Sequence, residues 1–222
     1  MTYGTTFPLW RASCAPDWED YTRHPFVAGM AHGTLPRDAF LFYMRQDYLF
    51  LIHFARAWAL AVTKAGSIAD MRACAATVHA LIDDEMRLHV STCAALGLSE
   101  SDLEATREHP ATLAYTRYVL DAGHAGDMAD LLAALAPCVL GYGEIGARLA
   151  GTGGPYADWI ATYAGDDYQQ TCADVSALID RVIAARLGAD PAASPRWPAL
   201  CDRFAVATRL ERDFWQMGWD AA

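Results

Sequence analysis

Basic residues are scarce in this sequence: 17 Lys and Arg stand against 27 Asp and Glu, a net charge of -10 with histidine neutral. That deficit leaves no electrostatic track for a nucleic acid backbone or an anionic membrane surface. Alternating apolar and polar runs bounded by turn residues are absent, which argues against a sheet-based fold, and no repeat recurs at solenoid periods. A G-x-S-x-G elbow, a phosphate-cradling glycine loop and a dinucleotide fingerprint are missing as well. The six cysteines, Cys14, Cys74, Cys93, Cys138, Cys172 and Cys201, include no C-x-x-C pair. Reduced thiols in a cytoplasm are therefore expected, rather than a disulfide framework or a zinc cluster. The opening MTYGTTFPLWRAS lacks the pattern of a secretory signal. The most apolar run, taken as Tyr48 to Val62, is interrupted by His53 and Arg56 and is too short to span a bilayer.

What the chain does have is apolar and helical. Its 222 residues are 54% hydrophobic and 20% charged, which suits one domain with a sizeable core, residues 1-222. So apolar a composition also predicts that a second copy of the chain covers part of the surface. Apolar residues recur at steps of three and four between glycine or proline breaks. The pattern predicts helices over residues 7-23, 25-32, 36-64, 70-96, 110-123, 128-150, 155-163, 167-187 and 195-219, with a short capping-box start at Ser101 and Glu104. The fold class is all-α, a compact multi-helix bundle. Only the extreme termini and Gly188 to Ser194 look loose.

The helix over 36-64 organises the rest. Its stripe, Phe40, Tyr43, Met44, Tyr48, Leu51, Ile52, Ala55, Ala59 and Val62, carries Asp47 on or beside it, among Tyr43, Tyr48, Phe50 and Phe54. A carboxylate there needs a partner, because desolvating a charge is costly; a cap or an arginine is the plain explanation and a ligand the sharper one. Cys138 lies in LLAALAPCVLGYGEIGA, where Pro137 deprives a backbone carbonyl of its partner and Gly141, Gly143 and Gly146 each cost about 1 kcal/mol in a helix interior. A helix that tolerates this is making room. Tyr142, one turn on, could face the same cavity as the thiol, although a buried cysteine is by default a small apolar filler. Glu211, in ATRLERDFWQMGW, borders Phe214 and Trp215, so that an aromatic environment could raise its pKa and suit it to proton transfer. Glu85 and His89, at i and i+4, could bind a metal from one helix, but no histidine follows His124 to complete a di-metal set, and a buried polar pair is the simpler reading. His24, His32, His53, His109 and His124 read as caps or ordinary polar contacts.

Six blocks, HPFVAGMAHGTLP, FLFYMRQDYLFLIHFARAWAL, EMRLH, HPATLAYTRYVL, APCVLGYGEIG and LERDFWQMGW, together resemble the TenA or thiaminase II family in order and spacing over nearly the whole chain. The resemblance implies a heme-oxygenase-like bundle without heme, a homotetramer, and hydrolysis of aminopyrimidines in thiamin salvage, with no cofactor or metal. It implies Cys138 as nucleophile, Glu211 as general acid and base, and Asp47 on the polar edge of the aminopyrimidine. Tyr115, Tyr142 and Tyr163 would line the pocket, and Phe50 would stack on the ring where family members often carry tyrosine. A sister branch replaces the cysteine by a carboxylate, and Cys138 argues against that branch. The chemistry agrees: a soft thiolate can add to the pyrimidine and leave again, which direct displacement by water does poorly. A pyrimidine-binding protein without turnover and a metal-dependent oxygenase using Glu85 and His89 are the competing readings.

Overall fold

A computed structural model describes residues 3–221, and every regular element in that span is helical. Part of the expectation of loose termini falls on Met1, Thr2 and Ala222, which lie outside the described residues. From Tyr3 onward the start of the chain is tied down. Asp180 accepts backbone N–H groups of Thr5 and Thr6, each at 2.8 Å, and the Tyr3 hydroxyl donates to Gln169 Oε1 at 2.7 Å.

The predicted first helix is two, α1 (Thr6–Ser13) and α2 (Ala15–Thr22), broken at Cys14 because Pro16 has no N–H to give to the Ala12 carbonyl four residues back. α3 (Pro25–His32) begins on a His24 cap, whose ring accepts the Phe26 N–H, and ends on Gly33 at φ 66°. That left-handed angle is why glycine stands there. α4 (Arg37–Lys64) runs on from Pro36, and Thr34 provides no side-chain cap. α5 (Ile68–His79) starts from Ser67, whose hydroxyl accepts the Asp70 N–H. It passes through a π-helical turn, Ala80–Glu85, into α6 (Met86–Ala95). The expected capping box forms two residues early, between Ser99 and Asp102, on α7 (Glu100–Glu104). α8 (Pro110–Ala125) is capped by His109, and α9 (Met128–Leu149) by Asp127 with Asp130 in a reciprocal box. α10 (Ala157–Ala164), α11 (Asp166–Leu187), a 3-10 turn at Pro191–Ala193 and α12 (Trp197–Trp219) follow.

α9 is the axis of the bundle: α8, α10, α11 and α12 pack around it, and α4 joins from the side of α8. Every residue from Leu131 to Gly143 is buried. Among the described residues α9 is the one helix long and apolar enough to cross a membrane, a correction to the sequence reading, which placed the most apolar run in α4; its burial makes it a core helix. It continues through Pro137, and its glycines admit close neighbours: a Cβ on Gly141 would meet the Tyr21 ring, and one on Gly146 the Tyr163 backbone at 2.4 Å.

α4 corrects the predicted stripe. Its buried face is Phe40, Tyr43, Met44, Asp47, Phe50, Leu51, Phe54, Trp58 and Ala61, whereas Tyr48, Ile52, Ala55, Ala59 and Val62 are not fully buried. The helix is apolar almost all round, so spacing alone fits two faces, and the large aromatics select the inner one.

Candidate active site

Six helices and the π turn converge on a cavity of about 880 Å³. α4 supplies Asp47, Phe50 and Phe54, α9 supplies Cys138 and Tyr142, α10 supplies Tyr163, and the start of α11 supplies Tyr168. The π turn lines the wall with Leu81, Asp84 and Glu85. Of the seven residues singled out in the sequence, Asp47, Phe50, Cys138, Tyr142 and Tyr163 line the cavity. Glu211 and Tyr115 stand behind them: the Tyr115 hydroxyl donates to Glu211 Oε1 at 2.8 Å, and its ring lies 5.0 Å from that of Phe50. Glu211, on α12, is 1% exposed, and its charge reaches the Cys138 thiol. Burial pushes its carboxyl up to about 8, against the opposing hydrogen bond of Tyr115. Burial and then the charge of Glu211 push the Cys138 thiol well above its ordinary range. The free site therefore holds a thiol beside a carboxyl of nearly neutral pKa, a pair suited to passing one proton.

Asp47 is buried, and its Oδ2 is 3.3 Å from the Tyr43 hydroxyl and 3.5 Å from His89 Nδ1. The other ring nitrogen of His89, Nε2, is 2.8 Å from the Met44 carbonyl. A carbonyl can only accept, so Nε2 carries the proton and the neutral ring turns its lone pair at Nδ1 towards Asp47. Burial lowers His89 to about 4 and raises Asp47, the latter with help from the charges of Glu85 and Glu211. Asp47 is neither a helix cap nor the partner of an arginine; it is held at the cavity between a phenol and an imidazole.

Tyr43 also meets the Tyr142 hydroxyl at 3.4 Å, and Tyr142 stacks on Trp215 with ring centroids 5.2 Å apart. Tyr163 packs against Trp159 at 4.5 Å. The expected Glu85 and His89 pair does not form: His89 is engaged by α4, and Glu85 faces the cavity beside the Tyr163 hydroxyl, its pKa raised by burial to about 7. Among the described residues no three His, Cys, Asp or Glu side chains are grouped to hold a metal ion.

The profile of the TENA/THI-4/PQQC family matches residues 11–221 of the chain. The chain belongs to this family. A TENA/THI-4/PQQC relative from Halalkalibacterium halodurans, named aminopyrimidine aminohydrolase, is 36% identical over 92% of this chain and 91% of its own length. The crystal structure of a protein described as a TenA family transcription regulator, from a Silicibacter species, superposes with a TM-score of 0.95 at 55% identity, covering 98% of this chain and 97% of that one. A domain with a heme oxygenase-like fold from Shewanella denitrificans superposes at TM-score 0.70 and 16% identity, over 97% of this chain and 94% of that one, which shows the fold alone. The bundle of this TENA/THI-4/PQQC member is thus the heme-oxygenase-like one expected.

Reading the sequence for its site missed Tyr43 as the link between Asp47 and Tyr142, and His89 as the partner of Asp47. The first had a signal, since Tyr43 lies one turn before Asp47 on the same face. The second had none, because the two residues belong to different helices.

Proposed function

We propose that this chain, read as one TenA-like helical domain, hydrolyses an aminopyrimidine of the 4-amino-5-aminomethyl-2-methylpyrimidine type in thiamin salvage, with Cys138 as nucleophile. The observation that carries the reading is the hydrogen bond from the Tyr115 hydroxyl to the buried Glu211 carboxyl, whose charge acts in turn on the Cys138 thiol at the wall of an aromatic cavity. The relatives named aminopyrimidine aminohydrolase support the reaction class. Asp47, as a carboxylic acid, donates its O–H to a ring nitrogen and accepts from the exocyclic amino group, with Phe50 and Tyr142 against the ring faces. Glu211 takes the proton of Cys138, and the Sγ–C bond forms at a ring carbon. The electron pair released through the ring expels the amine, which leaves with a proton from Glu211. Water adds to the exocyclic methylene and returns a proton to Glu211, and Sγ departs as the ring regains aromaticity. The sulfur ends as it began, and the sum is substrate plus water giving hydroxymethylpyrimidine plus ammonia.

The six free thiols suit a cytoplasmic setting. A homotetramer is part of the same reading, and exposed Ile68 and Ile82, at 61% and 55%, are candidates for its contacts; sedimentation reads the assembly. The decisive measurement is product formation by the parent and by Cys138→Ala, with thiamin run in parallel. The variant should lose about 10³-fold or more in rate, as removal of a nucleophile does. Equal rates would overturn the mechanism, and tight binding without product from either compound would favour a pyrimidine-binding protein.

A further inference from the structure

The mechanism leaves one carboxyl of the cavity without a task. Asp47 meets the pyrimidine edge and Glu211 moves protons, but Glu85 lines the same cavity and its charge reaches Cys138, Asp47 and Tyr163. Glu85 is the last residue of the π turn, Ala80–Glu85, inserted between α5 and α6. Such turns cost regular hydrogen bonding and recur where a helix must aim a side chain at a functional site. The cavity lining includes no Lys, Arg or His that could pair with Glu85. The other acids of the lining near it, Asp84, Asp166 and Asp167, are exposed, where water screens them.

We infer, on the hydrolase reading above, that Glu85 is a specificity-determining residue that holds the positive charge of the leaving group. A half-buried carboxyl in a cavity wall that offers it no cationic partner is stabilised by a bound cation and gains less from a neutral group. The departing half of the substrate, attached at the methylene beside Cys138, is the part within its reach. An ammonium group and a thiazolium ring both meet that condition, whereas a formylated amine is neutral. Tyr163, on α10, lines the same cavity as Glu85. A cation that arrives there also restores the ionised form, which burial alone disfavours.

The test compares dissociation constants and KM for three compounds: the aminomethyl pyrimidine, which is protonated at neutral pH, thiamin, and the neutral formylaminomethyl pyrimidine. The parent, Glu85→Gln and, as a control, Asp83→Asn are measured. Asp83 is exposed, pairs with His79 at 2.6 Å and does not line the cavity. Binding is followed by quenching of intrinsic tryptophan fluorescence, since Trp159 and Trp215 pack on Tyr142. Glu85→Gln should raise both constants about tenfold for the two cations, the size of one charge-assisted contact, and leave the neutral compound and kcat unchanged. Asp83→Asn should change none of them. An equal rise for all three compounds, as a merely structural role would give, or no rise for the cations, overturns the assignment. If the parent binds the cations in preference, Glu85→Gln abolishes that preference and no product forms, the hydrolase reading falls and the role of Glu85 stands.

Discussion

Glu211 at pH 7 is mostly protonated, because burial holds its carboxyl at about 8, while the thiol beside it is higher still. A thiol can give its proton only to a carboxylate, so the active fraction of the free site grows with pH. We expect kcat/KM to climb through an apparent pKa near 8 that belongs to the coupled Cys138 and Glu211 pair. The Tyr115 hydroxyl, donating at 2.8 Å, favours the ionised carboxyl. Tyr115→Phe should therefore move that limb to higher pH and lower kcat/KM at pH 7 by about tenfold, the worth of one hydrogen bond to a charged group. A limb that stays in place would mean that this hydrogen bond does not set the proton affinity of the pair. Asp47 shows how far single residues were legible in advance. A carboxylate inside an aromatic stripe is costly enough to stand out in the sequence, and so is a cysteine that follows a mid-helix proline among glycines. The meeting of Asp47 and His89 was not legible, since it depends on α4 and α6 packing together, which buries the imidazole and lets a carbonyl of α4 fix its tautomer.

At the scale of elements, the glycines of α9 do something the sequence could only announce. A Cβ on Gly146 would lie 2.4 Å from the carbonyl carbon of Tyr163 and 2.5 Å from its oxygen, both backbone atoms that cannot rotate away. Gly146→Ala gains about 1 kcal/mol of helix propensity and loses more to the displaced α10. We expect a net loss of roughly 1–3 kcal/mol by denaturation, together with a raised KM, because Tyr163 moves with α10. A variant as stable as the parent would mean that α10 can slide without cost. The helices themselves were legible because glycine, proline and caps such as Asp127 and His109 mark their ends through local chemistry. Three features escaped for physical reasons. The break at Cys14 follows from a proline two residues on. The inner face of α4 is ambiguous in a helix apolar on most sides. The π turn inserts a residue into the helical register, which no spacing rule announces; Leu81 is buried there while Ile82 is 55% exposed.

For the whole molecule, the proton balance of the site sets how stability responds to pH. A carboxyl raised on folding binds protons that the unfolded chain has already released, so stability falls as pH rises from the unfolded pKa and levels off at the folded one. Glu211 goes from an ordinary 4.5 to about 8, Glu85 to about 7, and Asp47 is raised as well. His89, lowered from 6.5 to about 4, acts in the other direction: its contribution is complete above 6.5 and is lost as pH falls towards 4. His24 and His53, also lowered by burial, share that sense. Asp127, held at about 2 through the Arg196 and Arg186 contacts, is lost only below about pH 4. Below 6.5 the carboxyls and the histidines oppose one another and the profile flattens, whereas from 6.5 to 8 the carboxyls act alone. Over that window Glu211 by itself costs about 2 kcal/mol of stability, 1.36 kcal/mol for each pH unit. For a chain of this size that corresponds to a Tm lower by roughly 4–8 °C at pH 8 than at pH 6.5, with protein concentration held fixed because self-association would shift both values. Glu211→Gln removes that share and leaves only those of Glu85 and Asp47, so its Tm should fall less than the parent's across the same window and should exceed that of the parent at pH 8. Parallel curves for the two proteins would place the pH dependence elsewhere in the bundle and remove the argument that the buried carboxyl is maintained at the expense of the fold.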